Sequence, residues 1–230
     1  MSPTCCHSIF TSSVGRKYIM AITGLMLSGF LLVHLIGNYL LLIDPALFNA
    51  YAHKLTTNPL IYGAEAILIL IFLTHISLAI KLTLENRQAR PQKYYVRKLS
   101  GRGATWASST MPYTGILILI FLVLHLIHFK YGALYYATYD GVEMRDLHRL
   151  VIEFFQLPLH VAIYVATMVL TGFHLSHGFW SAFQSLGFDH PNYFGLIKKI
   201  SLLYAIVIAV GYSFIPVWVY LSPYIAGGTH

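Results

Sequence analysis

The chain has 230 residues, 57% of them hydrophobic and only 10% charged, where a soluble domain carries about 25% charged residues. Fifteen Lys and Arg with eight Asp and Glu are too few to cover a soluble globule of this size, and the mean hydropathy of +0.66 agrees. These numbers speak against a soluble enzyme, a nucleic-acid binder or a disordered chain, and for an all-α polytopic membrane protein.

In chain order, Cys5 and Cys6 come first and are the only cysteines. Adjacent thiols seldom bridge and two are too few for a zinc site, so they read as free thiols in a tail. Arg16 and Lys17 then precede a first apolar span over 18–42. It is too long for a signal peptide and lacks a small-residue exit. Further spans follow over 60–84, 111–129, 154–183 and 197–221. Each approaches or exceeds the roughly 20 helical residues that cross a hydrocarbon core. Backbone in lipid must pair its own polar groups, so these are helices, five in one integral membrane domain. The connection over 85–110 carries Arg87, Arg90, Lys93, Arg97, Lys98 and Arg102, with Lys81 at its edge. Lys198 and Lys199 lie between the fourth and fifth spans, on the same side as Arg16 and Lys17. Only Lys54, Lys130, Arg145 and Arg149 fall on the other side. The positive-inside rule therefore predicts a cytoplasmic N-terminus, a basic cytoplasmic docking face over 85–110 and an external C-terminus. The connection over 130–153 holds Asp140, Glu143, Asp146 and Glu153 among tyrosines and predicts a short amphipathic turn at the interface. Pro158 is expected in the first turns of the fourth span, and Pro216 is expected to kink the fifth.

Two hairpins repeat. Thr23-Gly24 is followed after nine residues by His34, and Thr114-Gly115 after nine by His125. His75 precedes Thr83-Leu84 by the spacing at which His177 precedes Ser185-Leu186. The first and third spans thus look like copies, as do the second and fourth.

His34, His75, His125, His128, His160, His174 and His177 lie in or beside these spans. A buried imidazole needs a partner, and ionisable groups inside a membrane are functional candidates. At 1.5 Å per residue, His34 and His125 sit roughly 6–7 Å from their span centres toward the outer face. His75 lies roughly 4–5 Å and His177 roughly 13 Å toward the inner face. Two pairs at two depths result. Paired imidazoles on facing helices are what a six-coordinate haem iron needs. Gly24, Ser28, Gly29, Gly115, Gly172 and Gly178 offer backbone clearance for a porphyrin. No C-x-x-C-H occurs, which excludes c-type attachment. No Asp, Glu or Cys stands at zinc or di-iron spacing with these histidines. His174 lies one turn before His177 on the same face, and His128 one turn beyond His125, so both are alternates. His160 and His128 could instead meet a propionate or a quinone.

Several segments carry a resemblance. They are SVGRK at 13–17 with Thr23-Gly24, FLLVHLIGN at 30–38, FNAYAHKL at 48–55, NPLIYGAE at 58–65, HISLAIKLTLENRQAR at 75–90, Trp106-Ala107-Ser108, and HLSHGFWSAFQSLG at 174–187. In order and spacing the chain resembles the cytochrome b558 membrane-anchor subunit of succinate dehydrogenase and fumarate reductase, the single-polypeptide type with two haems b. The resemblance implies five helices and an inward N-terminus. It implies haem iron ligands at His34, His75, His125 and His177, favouring His177 over His174. It pairs His34 with His125 (distal haem) and His75 with His177 (proximal haem). It implies an anchor for an FAD-containing flavoprotein and an iron–sulfur subunit in a bacterial cell membrane. Such an anchor moves electrons between the clusters and membrane menaquinone, has no succinate site of its own, and can belong to a higher oligomer of the complex. One departure stands out: some members carry a Glu two residues before the fourth ligand, where this chain has Leu175. That puts a proton route through the fourth span in doubt.

Glu65 is the acid deepest in a span, on the outer-haem side, and is a candidate proton group at a quinone site. His53, Asn49 and Tyr51 in the preceding connection, with His160, are further quinone candidates. Two competing readings are a dihaem b cytochrome of another quinone-linked oxidoreductase, and a haem-free transporter using histidines as proton relays.

Overall fold

The computed structural model describes residues 12–89 and 106–225. Cys5, Cys6, most of the basic 85–110 connection and the C-terminal tail lie outside the described residues. Five helical segments are long and apolar enough to cross a membrane: Ser13–Leu42, Leu60–Gln88, Ser109–Lys130, Pro158–Ser185 and Pro191–Pro223. The protein is an all-α polytopic membrane protein. The helices are α1 (Ser13–Tyr39, ending in a 3-10 turn at Leu40–Leu42), α2 (Pro45–Thr57), α3 (Leu60–Gln88), α4 (Trp106–His125), α5 (Leu147–Phe155), α6 (Pro158–Ser185) and α7 (Pro191–Ile225). A hairpin of β1 (Tyr136–Tyr139) and β2 (Val142–Arg145) precedes α5.

Local chemistry fixes the boundaries. The Ser12 hydroxyl accepts from Gly15 N at 3.0 Å and opens α1. Asp44 accepts from Leu47 N at 2.8 Å, and Pro45 supplies a first helical residue that needs no donor, so α2 starts there. Asp140 and Gly141 both have positive φ, 51° and 76°. That is the Asp-Gly turn whose twist matches antiparallel strands. Asp146 caps α5 by accepting from Arg149 N at 3.1 Å. Leu157 is extended and Pro158 begins α6, which separates Phe154 and Phe155 from the span expected to start at 154. They belong to the amphipathic α5 instead. The 130–153 connection is thus a hairpin and part of a helix rather than a single turn. α4 ends in a π turn at Leu126–Lys130 closed by Tyr131 N on Leu126 O at 2.9 Å.

The alternation of the spans is pinned at both ends. At the near face, where α1 begins, the Arg16 guanidinium meets the Glu85 carboxylate of α3, and Trp180 N of α6 donates to Ser201 Oγ of α7 at 3.0 Å. At the far face Lys130 meets Glu65. The core runs through α1, α6 and α7: Leu35, Tyr164, Leu175, Ala205, Ile208, Ile215 and Val219 are buried, and Leu41, Phe48, Val151 and Phe155 continue it beneath α2 and α5. Histidines in the first four spans predict a haem-binding bundle of those four. In the structure the fifth is the most deeply embedded, while α3 packs chiefly on α1 and buries none of its residues. Small residues explain the close seat of α7. A Cβ on Gly172 would lie 2.9 Å from Ala209 Cβ, and one on Gly211 would lie 2.8 Å from Leu35 Cδ2. Gly172 therefore serves helix packing, not porphyrin clearance.

Candidate functional site

Two clusters of imidazoles lie at different depths. Toward the far face, His34 of α1 and His125 of α4 approach with ring centroids 6.0 Å apart and planes at 87°. Each is backed by the aromatic ring one turn earlier. Phe30 stacks on His34 at 5.3 Å and Phe121 on His125 at 5.8 Å. The repeat is therefore longer than its Thr-Gly and His markers, because both copies place Phe four residues before the His. From α7, Tyr212 lies 6.2 Å from His34 and donates its hydroxyl to Leu31 O at 2.8 Å, while Tyr204 donates to Ser28 O at 2.5 Å. The fifth span thus holds the stretch of α1 just before His34, a role sequence reasoning missed. Only the tyrosine spacing of eight, roughly two helical turns, hinted at it.

Toward the near face, His75 of α3 sets its Nδ1 3.3 Å from Thr23 Oγ1, and His174 of α6 sets its Nδ1 3.1 Å from Thr114 Oγ1. The adjacent glycines complete the match. A Cβ on Gly24 would lie 3.3 Å from His75 Cε1, and one on Gly115 3.6 Å from His174 Cε1. The structural copy of His75 is accordingly His174, whereas the Thr83 and Ser185 spacing had aligned it with His177. An H-x-x-H pair occupies one helix face, so spacing along the span could not choose between them. The neighbouring helix does. His177 lies one turn nearer the membrane edge, edge-on to Trp180 at 4.9 Å, and Lys198 sits 4.8 Å above that indole. Its Nδ1 and that of His125 are buried with no hydrogen-bond partner among the described residues.

The remaining candidates occupy the far end. His160 donates from Nδ1 to Phe154 O at 2.8 Å and stacks on the Phe154 ring at 4.0 Å. His128, 6.0 Å from His160, sets its Nδ1 3.2 Å from the Tyr164 hydroxyl. Glu65 lies in the second turn of α3, at the end of the span, and pairs with Lys130 at 2.5 Å with both side chains about two-fifths exposed. Tyr51 packs its ring against Gly37, where a Cβ would come within 2.8 Å. His53, half-buried on α2, sits in that same far-face layer.

Asn49 is fully buried and wholly engaged. Its Nδ2 donates to Asp146 Oδ1 at 2.8 Å and, weakly, to the Tyr139 hydroxyl at 3.4 Å, and its Oδ1 accepts from His148 N at 2.9 Å. It fastens α2 to the hairpin and α5, leaving no amide group for a quinone. Around it, burial holds His148 below its ordinary pKa, partly offset by Asp146 and Asp44. On the surface of the same layer, Arg149 bonds Glu153 at 2.7 Å and covers the Tyr135 ring. That bond, with one from Tyr135, holds Glu153 below the usual carboxylate range. Arg145 donates to Lys130 O and Ala133 O, both at 3.2 Å, and closes the end of the π turn.

Among the described residues no group of three or more His, Cys, Asp or Glu is gathered as a protein-only metal site requires. A porphyrin iron asks for less, one imidazole on each side. An imidazole nitrogen binds a metal at about 2.0–2.1 Å and lies roughly 1.1 Å from its ring centre, so two axial imidazoles stand with centroids about 6 Å apart. The 6.0 Å between the His34 and His125 ring centres is close to that spacing. Gly24 and Gly115 let the His75 and His174 imidazole edges approach the neighbouring helix backbone. No family model, curated protein or solved structure matches the chain. What fold and site define together is a five-span helical membrane protein with two cross-helix histidine clusters.

Proposed function

We propose that the chain is the dihaem cytochrome b anchor of a succinate:quinone oxidoreductase, linking an iron–sulfur subunit and its FAD-containing flavoprotein to membrane menaquinone. The observation that carries the reading is the placement of histidines from four spans at two depths, His34 beside His125, and His75 and His174 each on the threonine of a neighbouring span. His34 and His125 would hold the haem b nearer the far face. His75 and His174 would hold the other, in place of the pairing with His177 that the resemblance implies. Bound in that way, haem b would supply one-electron redox chemistry.

The chain's own residues do the rest. Phe30 and Phe121 exclude water from the far pair. The Glu65–Lys130 pair, with His160 and His128, lines the far-face edge where a quinone headgroup would arrive. On this reading the near face is cytoplasmic in a bacterial cell membrane, and the basic 85–110 connection docks the iron–sulfur subunit.

The test is a dithionite-reduced spectrum and haem count on the purified protein, with its partner subunits identified. Two b-type haems and succinate dehydrogenase partners are expected. Absence of a b-type band refutes the reading, and a different oxidoreductase partner reassigns it. Within it, His174→Ala should remove the near-face haem and His177→Ala should retain it, while the reverse result returns the ligand to His177.

A further inference from the structure

Each near-face histidine rests its Nδ1 on a threonine hydroxyl that also lies within reach of carbonyls of its own helix. Thr23 Oγ1 lies 2.8 Å from Ile19 O and 3.1 Å from Met20 O. Thr114 Oγ1 lies 3.2 Å from Thr110 O and 3.1 Å from Met111 O. A helical threonine gives its single proton to such a carbonyl one turn back. Toward the imidazole it can then only accept. A hydroxyl that donates to its own helix in this way faces an imidazole protonated on Nδ1, with the Nε2 lone pair free. That is the tautomer a metal-ligating imidazole needs, and an acceptor on the opposite nitrogen both orients the ring and raises its basicity.

We propose that Thr23 and Thr114 are positioning residues for the near-face haem, each fixing the tautomer and orientation of one axial histidine across the helix interface. The inference rests on the haem reading above and adds two residues to it. Both threonines are buried, both precede a glycine that lets the imidazole edge approach the helix backbone, and they stand at equivalent places in the two hairpins. The far pair has no counterpart: among the described residues no threonine hydroxyl bonds the His34 ring, and His125 Nδ1 has no partner. The two haems should thus differ in how strongly their ligands donate. A more basic imidazole favours the ferric state, so loss of the threonine acceptor should raise the near-face potential.

The experiment uses the full complex with Thr23→Val and Thr114→Val, which keep the side-chain shape, and Thr23→Ser and Thr114→Ser, which restore the hydroxyl. Redox titration and electron paramagnetic resonance of the two haems are the readouts. The valine variants are expected to shift the near-face haem to a higher midpoint potential, or to lose that haem alone, with the far-face haem unchanged. Serine is expected to reverse the change. Two haems with unaltered potentials in both valine variants overturn the proposal while leaving the haem reading intact. A shift shared by both haems, or one that serine does not reverse, also overturns it. Wild-type protein without haem defeats the parent reading instead.

Discussion

Replacing Asn49 by alanine should unfasten the far-face layer without touching the histidines. The side chain is fully buried and makes two short bonds, 2.8 Å to Asp146 and 2.9 Å from His148 N. The 3.4 Å contact with Tyr139 contributes little. The bond to Asp146 is charge-assisted, worth about 1.5–3 kcal/mol, and the bond from His148 N about 0.5–1.5 kcal/mol. Alanine removes both and strands the His148 N–H at the start of α5. Asp146 keeps its bond from Arg149 N, so the loss is not larger. A local cost of about 3 kcal/mol corresponds to roughly a 150-fold rise in the opening equilibrium. Hydrogen exchange read by mass spectrometry in detergent, on peptides covering the hairpin and α5, measures that rise. Asn49→Asp is the companion variant: it keeps an acceptor for His148 N but sets a second carboxylate against Asp146, so it should be no better than alanine at neutral pH. The spans should keep their protection in both. Unchanged exchange over the hairpin and α5 in the alanine variant would mean that Asn49 does not fasten this layer, and would reopen it as a ligand-binding residue.

The same layer should loosen on acidification. Burial depresses the folded-state pKa of His148 below its ordinary 6.5. Its contribution to stability is therefore complete above that value and lost as pH falls through the lowered pKa. Exchange corrected for its intrinsic pH dependence should rise below pH about 6.5 in wild type and respond less in His148→Gln; equal responses refute the assignment. Gly172→Ala should lower thermal stability in detergent by about 1–3 kcal/mol through overpacking against Ala209. Gly29→Ala, with nothing within 4 Å of the new Cβ, should be neutral or gain up to about 1 kcal/mol. Equal effects at the two sites would show that α6 and α7 are not as closely seated as the structure has them.

The spans were legible because hydrocarbon imposes its length on the sequence directly. Each of the five appears within six residues of its expected bounds, and the shift from 154 to 158 has a local cause. Phe154 and Phe155 are as apolar as the span that follows, so hydropathy runs through them, and only the extended Leu157 before Pro158 separates α5 from α6. The hairpin had a signal, Asp140-Gly141 between alternating residues, that the surrounding tyrosines and charges obscured. The role of α7 had only the spacing of Tyr204 and Tyr212, because its embedding depends on which faces meet. Gly172 and Gly211 read as cofactor clearance or as nothing until Ala209 and Leu35 are opposite them.

The choice between His174 and His177 shows where one-dimensional reading stops. Depth and periodicity place both on the inner half of one helix face, and the spacing to a distant Ser-Leu pair pointed to the second. Yet spacing along a helix measures only axial position, and two helices in a repeat can keep their geometry while their tails differ by a turn. The Thr-Gly pairs were visible as marks of duplication, but their partners were not, because Thr23 meets a histidine 52 residues away and Thr114 one 60 residues away. Once those contacts are known the repeat acquires a chemical meaning. The hydroxyl takes the Nδ1 proton, the glycine admits the ring edge, and what has been duplicated is a complete seat for an imidazole from the next helix. A duplicated seat is a stronger guide than any spacing within the histidine's own helix, and it is on that ground that His174 is the counterpart of His75.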